Sequence, residues 1–372
     1  MRAYHHLRLL APRHEVTCCA LVHRVPGARE RAEIEATGAK VEVLRLGFLG
    51  AGPALARALV GDRRPFQVLL YGRRRARARV ARLLARGRFD VIHVQLVRAV
   101  GCVPSGPPAV IDLIDALSTN LARRATRERS LIGRLVAWEA GRLRRFERQL
   151  VGAGAPCLVV SASERTALGG SPAIRVVPNG VDLGAFPYVE DGRPAARLVF
   201  AGNLGYFPNV DAAHWLAEDI LPRVRTAVPA AELRLVGARP GRGIRALARA
   251  PGVSLAATVP AMAPELAAAT IAVIPLRAGS GLQNKVLEAM AAGTPIVATP
   301  RAAAGVEARA GEHLMLADDA AGLAAATVAL LRDPARARAL ARAARAFVER
   351  RHRWEDSASA VEAAWHAAHG VA

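Results

Sequence analysis

The chain has 372 residues, 52% of them hydrophobic, enough for two cores of ordinary size and too apolar for a disordered protein. Its net charge of +21 comes almost wholly from arginine, spread along the sequence with only 4% aromatic residues, so a nucleic-acid surface built on stacked aromatics is excluded as the leading reading. Four cysteines show neither metal-ligand nor disulfide spacing, and no stretch reaches the roughly 18 uncharged apolar residues of a membrane span, which together predict a protein of a reducing cytoplasm.

Arg2 to Arg13 reads as a helix, and its charges together with His14 and Glu15 interrupt any signal-peptide core, so none is expected. Strands follow at Val16 to Val22 and Val41 to Leu46. Arg73 to Arg88 predicts a helix with Val80, Leu83 and Leu84 inward and arginines elsewhere, either a solvated face or a patch that settles on anionic lipid. Asp90 to Leu96 and Ala109 to Asp115 are further strands ending in polar groups. Asp112 and Asp115 would point to opposite faces of an extended strand, so they serve one site only if the strand has ended between them. Asp115 can cap the next helix, and His93 can be a packed strand-end residue or a base.

The helix Leu131 to Leu150 carries Arg142, Arg144, Arg145 and Arg148, read as a solvated face, and Ser161 has the position of a helix cap after a strand at Pro156 to Ser161. Pro178-Asn179-Gly180 makes a sharp corner. Asp191 to Pro194 is rich in turn formers, which places a domain boundary there: 1–190, then 191–350, then a terminal helix over 351–372 anchored by Trp354 and Trp365. The second domain opens with a strand from Arg197 and a turn at Gly202, where a missing side chain would let backbone amides approach a diphosphate. Strands at 232–237, 253–259, 271–276, 295–299 and 313–316 alternate with helices, the spacing of a parallel α/β sheet.

The most informative stretch is Pro275 to Thr299, one strand-loop-helix-strand unit. Gly279 and Gly281 lead into a helix whose first N–H groups favour an anion. Lys285, one of only two lysines in the chain, and Glu288 share one face of it. A cation at a helix N-terminus suits phosphate, and a carboxylate one turn on can accept from sugar hydroxyls, although a surface glutamate is the plainer reading of Glu288. The combination points to a nucleotide-sugar or phosphosugar pocket.

Gln283-Asn-Lys-Val-Leu-Glu-Ala-Met-Ala291, with Pro178-Asn-Gly-Val-Asp182 and Gly202-Asn-Leu-Gly-Tyr-Phe-Pro-Asn-Val-Asp211, resembles retaining glycosyltransferases of family four. More narrowly it is similar to bacterial sugar transferases found with exopolysaccharide and exosortase systems. The resemblance implies an α/β GT-B fold, two Rossmann-like doubly wound domains facing a cleft, with the terminal helix packed back on the first. Similar proteins begin with a strand and glycine loop that are missing here, so either the start lies upstream or the N-terminal domain is shortened.

The resemblance also implies roles for single residues. Gly202, Asn203, Arg277, Ser280, Gly281, Gln283, Asn284, Lys285 and Glu288 would hold the donor, Asn179 would lie between the domains, and Asp115 and Lys285 would be catalytic. Two departures stand out. Ser280 occupies the position of the first of two family glutamates, leaving Glu288 as the second, and the usual Arg and Lys pair after the first strand of the donor domain is missing, leaving its charge to Lys285 and Arg277.

The expected activity is transfer of a sugar with retention from a nucleotide-sugar to a lipid-linked or saccharide acceptor in cell-surface glycan synthesis. No metal or other cofactor and no nucleic acid is expected, and the location would be cytoplasmic, peripheral on an anionic inner membrane face. Two other readings stay open, a nucleotide-sugar epimerase on the same fold and a non-catalytic binding or scaffold protein.

Overall fold

The structure, a computed structural model, describes residues 1–46, 51–104, 106–128, 130–279 and 281–370. The chain divides into two compact units, Met1–Pro178 with Trp354–Ala372, and Asn179–Arg353. The division thus comes before the turn-rich stretch at Asp191. Residues 179–190 are tied into the second unit instead: the Val181 N–H donates to the His352 carbonyl and the Val189 N–H to that of Ala292.

In the first unit β1 (Thr17–Val22) and β2 (Lys40–Arg45) form a parallel pair, and β3 (Ile92–Gln95), β4 (Ala109–Ile114), β5 (Cys157–Val159) and β6 (Ile174–Val176) form a separate four-stranded parallel sheet. β4 and β5 are the apolar heart of the larger sheet, with Val110, Leu113, Leu158 and Val159 at or below 1% exposure. The terminal helix Trp354–His369 covers one face of it. Ala358, Val361 and Ala364 pack with Leu10, Val110 and Leu158. Trp354 stacks on the His5 ring, centroids 4.4 Å apart, and the Trp365 indole donates to His93 Nδ1 at 3.0 Å. Both tryptophans are therefore packing anchors, and His93 is a packed strand-end residue.

The second unit holds one continuous parallel sheet in the order β12-β11-β10-β7-β8-β9. Its strands are β7 (Arg197–Ala201), β8 (Glu232–Val236), β9 (Val253–Ala256), β10 (Ile271–Ile274), β11 (Ile296–Ala298) and β12 (Met315–Leu316). β10 and β11 read as unbroken apolar runs because both faces are covered, and every residue in them is buried. The order reverses between β7 and β10. Loops leaving their carboxyl ends diverge there, and the crevice between them is where open parallel sheets take ligands.

Candidate functional site

Two loops frame that crevice. The first leaves β7 through Gly202 and Asn203 and enters the helix Phe207–Trp215. The second leaves β10, passes Arg277, and enters the helix Asn284–Ala291, which seats Val286, Leu287 and Met290 in the core and so turns Lys285 and Glu288 toward the loops. The glycines are spatial requirements. A side chain on Gly237 would meet the Gly202 carbonyl at 1.7 Å, so the ends of β7 and β8 touch backbone to backbone. A side chain on Gly202 would sit 2.9 Å from both Lys285 Nζ and Asn209 Nδ2.

Lys285 is the centre of the arrangement. Its half-buried ammonium lies 4.7 Å from the centroid of the Phe200 ring and donates to Asn209 Oδ1. Asn209 Nδ2 donates to the Asn203 carbonyl at 2.9 Å, which fixes the amide so that its oxygen faces the lysine. Desolvation lowers the Lys285 pKa to about 8, with Glu288 opposing the shift. Burial raises Glu288 in turn, against the pull of Lys285. A desolvated cation held by one neutral amide is poised to exchange that amide for a phosphate oxygen, since its attraction for an anion is strongest where water is scarce.

The other predicted donor residues divide. Asn203 accepts from the Gly205 N–H at 3.1 Å, shaping the first turn. Asn284 Oδ1 accepts from Asn179 Nδ2 at 3.0 Å, and His352 holds the Asn179 carbonyl at 3.1 Å, so Asn179 anchors the start of the second unit to the site helix. Gly279 and Gly281 have positive φ, +111° and +66°, and Gln283 is the residue before the helix. Arg277 lies over the Trp215 ring at 4.7 Å and makes two hydrogen bonds to Asp211, at 2.6 and 3.1 Å. Ser280 lies outside the described residues. Asn209, Asp211 and Gly237 escaped the sequence reading as site residues, although the first two stand inside the Gly202 to Asp211 run.

Asp115 belongs to the first unit. β4 ends at Ile114, whose φ is +67°, so the two aspartates part company. Asp112 is fully buried against Arg2, Nε to Oδ2 2.7 Å; burial would raise it, but Arg2 and His93 outweigh that and hold the carboxyl well below the usual range. Asp115 instead accepts from Asn120 Nδ2 at 2.7 Å. The helix Leu117–Arg127 begins two residues on. That end is closed by carboxylates from elsewhere, Glu164 on the Ala116 N–H at 2.7 Å and Glu147 on the Ser118 N–H at 3.1 Å. Among the described residues no group of three or more His, Cys, Asp or Glu could hold a metal ion, and no helix is long and apolar enough to cross a membrane.

Residues 195–333 match the family model described as glycosyl transferases group 1. The second unit carries a group 1 glycosyltransferase domain. The α/β fold of the chain, with its parallel sheets, is that of GT-B glycosyltransferases. Sucrose-phosphate synthase from Thermosynechococcus elongatus aligns over 97% of this chain and 100% of its own, at 16% identity and a TM-score of 0.70. HepE from Anabaena, in complex with UDP and glucose, aligns over 97% and 95% at 15% identity and a TM-score of 0.66. WaaG, a glycosyltransferase involved in lipopolysaccharide biosynthesis, aligns over 94% and 99% at 14% identity and a TM-score of 0.59. No curated protein sequence matches the chain. The glycosyltransferase domain contains every residue of the Lys285 cluster.

Proposed function

We propose that this protein moves a sugar from a nucleotide-sugar donor to a lipid-linked or saccharide acceptor, with retention, in exopolysaccharide or other cell-surface glycan synthesis at the inner face of the membrane. The observation that carries the reading is the Lys285 ammonium, desolvated over Phe200 and held by Asn209 at the switch point of the sheet. In the transfer the bond from the anomeric carbon to the diphosphate oxygen breaks, and the acceptor hydroxyl oxygen forms the new bond on the same face. The acceptor proton passes to the departing diphosphate. Lys285 and the first N–H groups of the helix Asn284–Ala291 stabilise the charge that grows on that diphosphate, a role assigned here to the protein rather than to a metal. Glu288, one turn on, accepts from sugar hydroxyls. The family match and the UDP and UDP-glucose complexes of HepE support the donor class, and Asp115 is assigned to the acceptor side.

Screening nucleotide sugars for thermal stabilisation identifies the donor, because a ligand bound only by the native state raises its stability. Lys285→Ala should then lower kcat by about 10²- to 10³-fold, the usual cost of one donor to a developing oxyanion. With the ammonium titrating at about 8, donor affinity should fall as pH rises through that value, and Lys285→Arg should flatten the profile. Full turnover by both Lys285→Ala and Glu288→Ala would reject the site, and loss of donor without any acceptor would favour hydrolysis or epimerisation over transfer.

A further inference from the structure

Among the described residues twelve large apolar side chains are exposed, and seven of them fall on two neighbouring stretches of the first unit. Leu55 and Leu59 stand one turn apart on the helix Ala51–Leu59, with Val60 directly after it at 87% exposure. On the helix Leu131–Gly152, Leu131, Leu135 and Trp138 line one face at helical spacing with Ile132 beside them. Arg142, read from the sequence as solvated, is buried and joins the two stretches. Its guanidinium lies 4.4 Å from the Trp138 ring centroid and donates to the Ala58 carbonyl at 3.2 Å, next to Leu59. Large exposed apolar side chains gathered in this way mark an interaction site rather than ordinary surface.

Beside the ridge lies a cavity of about 430 Å³ lined by Arg57, Arg64, Arg74 and Arg77. Asp62 bonds two of these four guanidiniums, Arg57 at 3.1 Å and Arg64 at 2.7 Å, so positive charge is in excess. Arg57, two residues from both Leu55 and Leu59, lies on the opposite side of the same helix, so the cavity flanks the apolar ridge rather than sharing its face. The helix Arg74–Arg86 that supplies the other two has no acidic residue.

We infer that this face of the first unit docks on an anionic phospholipid bilayer, the Leu59 and Trp138 ridge entering the acyl boundary and the four-arginine cavity taking a lipid phosphate at headgroup depth. An apolar wedge flanked by arginine and tryptophan has the composition of an interfacial anchor, and the excess charge matches an anionic leaflet. A second copy of the chain is disfavoured, because a two-fold contact through this face would set one arginine cavity near another. The inference rests on the membrane-side placement of the proposed transferase and gives it a surface.

The test is co-sedimentation with phosphatidylcholine vesicles, with and without phosphatidylglycerol. The protein should bind the anionic vesicles at least about tenfold better. Leu59→Ser with Leu135→Ser, and separately Arg74→Ser with Arg77→Ser, should each lower that binding about tenfold, whereas Arg336→Ser with Arg338→Ser in the second unit, the same loss of charge, should change it by less than about twofold. Vesicles should shift tryptophan emission to the blue, and Trp138→Phe should bind while losing most of that shift. Equal binding to both vesicle types, or an equal loss from the second-unit pair, would overturn the surface, as would a dimer dispersed by the leucine changes without vesicle binding. Donor stabilisation measured without vesicles separates the two readings: if it persists when docking fails, only the docking surface is wrong.

Discussion

β1 and β10 are similar on paper, apolar parallel strands in α/β units, yet they end in different environments. All four residues of β10 are buried between β7 and β11. Every residue of β1 stays half-exposed, and among the described residues β2 is its one strand neighbour. The difference teaches that hydrophobic content selects a strand but neighbours on both edges bury it. The second unit has a continuous sheet and sets its site at the one point where strand order reverses. The first unit has two sheet pieces and relies on polar ties, among them Arg2 to Asp112, Arg142 to three backbone carbonyls, and Glu147 to Ser118.

Four measurements probe that contrast. The largest effect is expected from Arg2→Ala, which strands the fully buried Asp112 carboxylate and should cost about 3–5 kcal/mol in urea unfolding of the first unit; Asp112→Asn in the same chain should recover part of it. Next, Leu235→Ala, at a fully buried position of β8, should cost about 2–5 kcal/mol, and Leu21→Ala in β1 less than half as much. Equal costs would show that β1 is as well packed as the second sheet.

The third concerns pH. Glu147 has no exposure, and burial, with Asp115 and Glu164 adding to it against the Ser118 hydrogen bonds, raises its pKa to about 7. A raised carboxyl favours the folded state while protonated. Its contribution is therefore complete below about 4.5 and lost as pH rises to about 7, on the order of 3 kcal/mol. Glu147→Gln should remove that slope from thermal melts taken across the window, and an unchanged slope would refute the assignment. The smallest effect is expected from Gly202→Ala: the new methyl meets Lys285 Nζ and Asn209, so donor affinity should fall about tenfold, and the φ of +157° at Gly202 adds a stability cost of about 1 kcal/mol.

Much of the candidate site could be read in advance because its signals are local. A strand, two glycines, a lysine and a glutamate within one βαβ unit already define a helix N-terminus with a cation, and the Lys285 and Glu288 spacing survived folding unchanged. Asn209 could not be assigned from spacing, since its task depends on where Gly202 lets Lys285 approach. Arg142 misled for a related reason: an arginine among arginines on a long helix reads as solvated, and only the carbonyls of residues 58–64 converging on it make a buried position tolerable.

The amino-acid order alone thus carried the alternation of strand and helix, the parallel character of the second half and the glycine loop leading into the Lys285 helix, all of which depend on periodicity and on residues close in the chain. Which strands find two neighbours, where the units divide, that Arg277 bonds Asp211, and which carboxylates close the helix after Asp115 were settled by contacts between distant segments. Burial and pairing are properties of the assembled surroundings, and no single segment contains them.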